Sequence, residues 1–303
     1  MKSIRRLGLA GCLALSMACL SFSNIPAHAQ ADDELVLIYK KMAGHLRTRQ
    51  YGKAIELARQ FADGVKKRYG RTDSRYATAL NNLASLYEYQ GNYALAEPLY
   101  IRSIRIDQKN SGRKSKKVAT TLYSLANLLS AQGRYTEAEP VYRESIQISR
   151  KVLGNEHINV AIAVGGLADL YQKQKRYKAA EKNYRLAIDL RRKSQGADHQ
   201  SIAKILASLA ELYRQQGQNT KVAPLYEQSV AISEKKLGSN HPEVAATLNK
   251  LASFYVLQRK YAEAEPYLAR AVTILEKNYG QSHSYVNRLK RELVNVRKRM
   301  RVP

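Results

Sequence analysis

The chain has 303 residues, with 51 lysines and arginines against 25 acids, and a formal net charge of +26. Such an excess governs partners and solubility rather than fold, and it favours anionic surfaces. Its two cysteines, Cys12 and Cys19, lie near the start, so the rest of the chain can form no disulfide, thiolate metal site or cysteine nucleophile.

The segment from Met1 to Ala29 reads as an export signal. Lys2, Arg5 and Arg6 form a basic start, Leu7 to Phe22 an uncharged and mostly apolar run, and Ala27-His28-Ala29 a small-x-small cleavage site. Cleavage is expected after Ala29. The apolar run is shorter than the roughly 20 residues a spanning helix needs, which disfavours an uncleaved anchor. Leu9-Ala10-Gly11-Cys12 has the form of a lipoprotein box but follows Arg6 too closely to leave an apolar stretch before it. The expected location is the bacterial periplasm. The leader removes three positive charges and no acid, leaving +23. In that compartment the polyanions are lipid headgroups, polysaccharide and acidic proteins, and nucleic acid is disfavoured.

From Glu34 onward the sequence repeats itself at a constant interval. Glu34, Tyr76, Val118, Val160, Ile202 and Val244 begin successive repeats, and each repeat carries one glycine at the same phase: Gly70, Gly112, Gly154, Gly196, Gly238 and Gly280. Such a period excludes an ordinary single-core domain and predicts a stack of helix pairs. The repeat from Val118 shows why. Val118, Leu122, Leu125, Ala126 and Leu129 form a helical stripe, and Gln132-Gly133-Arg134 stops it. A second stripe through Ala138, Val141, Tyr142, Ser145, Ile146 and Ile148 runs on to Gly154. Pro98, Pro140, Pro224 and Pro266 share a phase that the pattern places near the first turn of each second helix, where a missing N–H costs least. In other repeats the glycine between helices becomes Lys175 and Arg259, and Asn219 replaces the tyrosine seen at Tyr51, Tyr93, Tyr135, Tyr177 and Tyr261. After the sixth repeat, a last stripe of Val286, Leu289, Leu293, Val294 and Val296 has Arg297 at an aromatic phase, as a polar end cap requires.

The segments Leu80 to Tyr87, Gln90 to Tyr93, Ala96 to Tyr100 and Leu237 to Ala245 resemble the tetratricopeptide repeat in its 42-residue, kinesin-light-chain-like form. The resemblance covers Glu34 to Val286. It implies an all-α, right-handed superhelical solenoid of antiparallel helix pairs with a C-terminal capping helix. The expected organisation is a signal peptide at 1–29 and one solenoid domain at 30–303, with repeats at 34–75, 76–117, 118–159, 160–201, 202–243 and 244–285, then a cap and basic tail at 286–303. It further implies a concave groove that receives a peptide or partner. By phase that groove holds Asn81, Ser85, Tyr123, Asn127, Asp169, Lys204, Glu211, Arg214 and Asn249, of mixed charge. An asparagine amide there can pair with both peptide N–H and C=O.

The remaining chemistry-bearing residues fall on the period. His157, His199, His241 and His283 recur once per repeat. Equivalent positions on stacked helices lie about 8–10 Å apart, too far to share a zinc that needs nitrogens at about 2 Å. They are expected to tie each loop to the next helix start. Glu97, Glu139, Glu181 and Glu265 are expected to favour helix N-terminal dipoles. There is no glycine-rich phosphate loop, serine-nucleophile context or carboxylate cluster, so no cofactor, metal or catalytic residue is expected. Two clusters are strongly basic, one with Arg113, Lys114, Lys116 and Lys117, the other with Arg297, Lys298 and Arg299. The expected function is an exported, non-catalytic interaction scaffold. The alternative is a basic protein adsorbed to anionic lipid or polysaccharide of the cell envelope.

Overall fold

The computed structural model describes residues 29–300, so all but the last residue of the expected leader and the final residues 301–303, Arg301 included, lie outside the described residues. Thirteen α-helices and no strand occur among the described residues. In chain order they are α1 (Ala29–Arg47), α2 (Tyr51–Tyr69), α3 (Ser74–Gln90), α4 (Tyr93–Ser111), α5 (Lys116–Ala131), α6 (Tyr135–Leu153), α7 (Ile158–Lys173), α8 (Tyr177–Gln195), α9 (Gln200–Gln215), α10 (Val222–Leu237), α11 (Pro242–Leu257), α12 (Tyr261–Tyr279) and α13 (Ser284–Met300). Odd-numbered helices up to α11 are the first helices of the repeats, even-numbered ones the second, and α13 is the cap. The chain forms two compact units, one ending at Asn155 and one beginning at Glu156. No described helix is long and apolar enough to cross a membrane.

The two helices of a repeat meet over small residues. Ala77, Ala119, Ala161, Ala203 and Ala245 on first helices are buried, as are Ala96, Ala138, Ala180 and Ala264 on second helices. Beside them Ser103, Ser145 and Ser229 are buried and donate to the carbonyl oxygens of Ala77, Ala119 and Ala203 at 2.7–2.8 Å. A hydroxyl bonded across the pair requires close helix axes and fixes their register. Larger side chains then pack between pairs. In the N-terminal unit Leu35, Phe61, Val65, Tyr76, Leu80 and Ile106 form one cluster. In the C-terminal unit Leu248, Leu268, Val272, Leu275, Val286, Leu289 and Val296 form another.

Two kinds of turn alternate, and they explain different tolerance to substitution. Between repeats, Gly196 adopts φ 87°, ψ 159°, and its five counterparts have similarly positive φ. This region is open essentially to glycine alone. Within repeats, Gly91 adopts φ 82°, ψ 10°, the left-handed helical region that other residues enter at a modest cost. Lys175, Arg259 and also Arg49 occupy that turn with φ of 59–61°. Hence one glycine is present in all six repeats and the other in only three.

The histidines cap helices. Nδ1 of His157, His199, His241 and His283 accepts from the backbone N–H two residues on, at 3.1–3.3 Å. Asp73 and Ser115 hold the same phase and cap α3 and α5. An N–H can only donate, so each Nδ1 accepts through its lone pair. Two sequence expectations need correction. Pro98, Pro140 and Pro266 are the sixth residues of their helices, one turn later than expected. They are exposed, so water can satisfy the carbonyl each leaves unbonded. Where Asn219 replaces tyrosine, the second helix instead starts with a 3-10 turn, Asn219–Lys221. Val294 is 49% exposed; it stands at the alanine phase facing a repeat's own second helix, and no described helix follows α13.

Added Cβ atoms at Gly196 and Gly217 would meet nothing within 4 Å, so substitution there tests backbone conformation alone. Gly196→Ala is expected to cost about 2 kcal/mol or more and Gly217→Ala about 1 kcal/mol, while Lys175→Gly gains about 0.5 kcal/mol; urea unfolding measures all three. The His199 pKa is lowered by desolvation and by Arg191 and Lys236. The neutral, capping form is therefore favoured in the folded state, and its contribution is present above about pH 6.5 and lost below the folded pKa. His199→Ala should cost about 1 kcal/mol at pH 8 and progressively less as the pH falls below the folded pKa.

Candidate peptide-binding surface

Within each unit the first helices of neighbouring repeats touch, α3 with α5 and α7 with α9. These helices form a first-helix face in each unit, and the residues expected to line a groove fall on it, except Asn249 on α11. The most regular feature is a single phase held by Ser85 and Asn127 in the N-terminal unit and by Asp169 and Glu211 in the C-terminal one. Each is met by a tyrosine from its own second helix. Ser85 Oγ lies 3.0 Å from the Tyr100 hydroxyl. The hydroxyls of Tyr142 and Tyr184 donate to Asn127 Oδ1 and Asp169 Oδ1, and that of Tyr226 pairs with Glu211. All four tyrosines are fully buried, so this polar column is held from beneath by rigid posts. Burial pushes the hydroxyls of Tyr100, Tyr184 and Tyr226 up, and the facing carboxylates add to that; they remain donors at any ordinary pH.

The other expected groove residues differ in availability. Tyr123 packs edge-on against Tyr142, with ring centroids 6.0 Å apart. Arg214 donates twice to Glu211, at 2.6 and 2.8 Å, and Lys204 pairs with Glu243 at 3.1 Å. Asn81 and Asn249 share one phase and each buries Oδ1 without a partner; the amide nitrogen of Asn81 is the end that can reach a ligand, whereas the Asn249 side chain is bonded to Tyr285. Asp169 is exposed yet crowded enough by protein that desolvation raises its pKa, partly countered by Tyr184 and Lys173.

Sequence periodicity did not reveal two buried polar groups. Asn82, next to Asn81, is buried with both amide atoms unpaired. Glu88 is 8% exposed and accepts from the Tyr100 hydroxyl at 2.8 Å. Desolvation pushes its carboxyl up to about 7, with the Tyr100 bond opposing. Both positions change residue type from repeat to repeat, so no pattern marks them.

Three of the four repeated glutamates act as bridges to another element, while Glu139 pairs with Arg143 one turn on in its own helix. Glu97 binds Arg134 at 2.6 Å, Glu181 accepts from Tyr213 at 2.6 Å, and Glu265 binds Arg297 at 2.6 Å. Arg297, at the tyrosine phase, thus makes the link to the preceding second helix that Tyr213 makes inside the stack. Among the other basic candidates, Lys117 donates to Ser74 Oγ at 2.7 Å and Arg299 reaches the Tyr261 hydroxyl at 3.4 Å. Arg113, Lys114, Lys116 and Lys298 are exposed. No three His, Cys, Asp or Glu converge among the described residues.

The tetratricopeptide repeat family model matches residues 36–109, 117–193, 165–235 and 201–277. The chain belongs to that family. It is similar to several solved kinesin-light-chain-like proteins. With BtubC (BKLC) from P. vanneervenii it shares a TM-score of 0.63 and 20% identity, over 80% of this chain and 92% of that one. With a putative kinesin light chain of Podosopora anserina the TM-score is 0.59 and identity 26%, over 68% and 96%. A Rap protein complexed with competence and sporulation factor gives a TM-score of 0.58 and 16% identity, over 92% and 78%. The likenesses to BtubC and to the Rap protein show the fold alone. No curated protein matches the chain in sequence.

Because the Glu88 pKa is raised in the folded state, its contribution to stability is largest below about pH 4.5 and declines as pH rises to 7. Glu88→Gln is expected to gain roughly 2–4 kcal/mol at pH 8 relative to its effect at pH 4, read from urea unfolding at the two pH values.

Proposed function

We infer that the protein is an exported, non-catalytic scaffold that grips a peptide or partner protein with its first-helix face. The column Ser85, Asn127, Asp169 and Glu211 carries this reading. It places a different polar group at the same repeat position in each of the four middle repeats, two in each unit, and fixes each with a buried tyrosine. Preorganised side chains lose less entropy on binding, and variation at a constant position is what recognition of a particular sequence needs. The family membership and the complexed Rap protein support a binding role. The leader at 1–29 supports export to a bacterial periplasm. No cofactor or metal enters this reading.

The test is capture of partners from native envelope extract, with mass-spectrometric identification. Asn81→Ala, Asp169→Asn and Lys204→Gln combined should weaken binding at least tenfold with little change in melting temperature, whereas Arg143→Gln on a second helix should leave it intact. Equal capture by the triple variant and the native protein would refute the assignment to this face. N-terminal sequencing of the mature protein should begin at Gln30, and an uncleaved chain would refute the export assignment.

A further inference from the structure

A second periodic set lies at the ends of the second helices. Lys67, Lys109, Lys151, Lys193, Lys235 and Lys277 stand just before the inter-repeat glycines, one in every repeat. Each is in the last turn of its helix, where a cation favours the helix dipole. In the C-terminal unit the inter-repeat loop twice supplies a countercharge. Lys193 binds Glu156 at 2.6 Å, and Lys235 binds Asp198. The two acids occupy the same loop position, one in each of two successive repeats.

The N-terminal unit reverses this arrangement. At that loop position Thr72 stands opposite Lys109, and Lys114 opposite Lys151. The position that neutralises Lys193 and Lys235 in one unit, and is Asn240 opposite Lys277, is uncharged or cationic throughout the other. Arg68, Arg71, Arg113 and Arg150 add exposed charge along the same edge. The nearby acids do not offset it: Asp107 is 2% exposed and accepts from Ser74 at 2.5 Å, and Asp73 is paired with Arg75. Like charges set close together repel, so this edge gains from an external anion.

We propose that the edge of the N-terminal unit formed by Lys109, Lys114 and Lys151 binds a linear anionic polysaccharide. A row with one lysine per repeat suits a chain with charges at regular intervals. Tyr69, at the end of α2, lies under the Arg75 guanidinium at 3.6 Å, so its ring is already covered and gives no platform on which nucleic-acid bases could stack. Among the described residues, Val152 is the one exposed large apolar side chain on this edge, which gives little for insertion into a lipid surface. This site is separate from the first-helix face and does not depend on that face binding a peptide.

The test uses the full mature chain with polygalacturonate as probe, followed by calorimetry over a range of salt concentrations. Lys109→Gln, Lys114→Gln and Lys151→Gln combined should lower affinity at least tenfold and reduce the slope of log K against log salt by about 2–3. The matched triple of Lys193→Gln, Lys235→Gln and Lys277→Gln should change affinity less than twofold. Lys114→Glu, which gives Lys151 the partner found in later repeats, should weaken binding while raising the melting temperature. Equal losses from the two triples would show mere net-charge attraction and overturn the proposal. Native affinity in the first triple, or tighter binding to duplex DNA or phosphatidylglycerol vesicles than to the polysaccharide, would also overturn it.

Discussion

The close approach of the two helices within each repeat governs the rest of the structure. Alanine faces alanine there, and Ser103, Ser145 and Ser229 bond directly to first-helix carbonyls. At that separation a tyrosine on the second helix spans the pair, and its hydroxyl emerges beneath the first-helix face. A wider spacing would leave Tyr142 short of Asn127 and Tyr184 short of Asp169. The small residues therefore do more than fill the core, because they set the height at which the polar column stands.

The column is thus shared between stability and recognition. Its tyrosines are fully buried and belong to the core, while its first-helix partners vary from serine to glutamate. Substituting a partner leaves a buried hydroxyl to be satisfied, which limits the column to side chains that can pair with it. Glu88 shows the opposite case: its buried carboxyl has a tyrosine donor but no cation, and desolvation holds it near neutrality. The lysine edge follows a different logic. Its ladder is common to both units, and a single loop position decides whether it is neutralised.

Much of this was legible in the sequence because a repeat makes every position a sixfold observation. The inter-repeat glycine stands out since its backbone conformation is closed to other residues, while the intra-repeat turn tolerates Lys175 and Arg259. The histidines are legible as loop ties because they share a phase with Asp73 and Ser115, both ordinary helix caps. Where the period misleads, the cause is local geometry. The prolines share a phase, but phase does not say how many residues precede them in a helix, and they sit one turn deeper. Val294 keeps a helical stripe, but a stripe does not say which face has a partner.

The sequence by itself determined the fold class, the number of helix pairs, the positions of the turns and the basic balance. These depend on periodicity and on backbone restrictions, which act between near neighbours in the chain. The tertiary structure alone decided which polar residues are open and which are engaged. Ser85 and Asp169 share a phase with Asn127 and Glu211, yet their availability depends on hydroxyls carried by a different helix. The pairing of Lys193 with Glu156, and of Arg297 with Glu265, likewise depends on contacts between residues far apart in the chain. Such contacts exist only once helices have packed, because packing sets both the distance between charges and the water left around them.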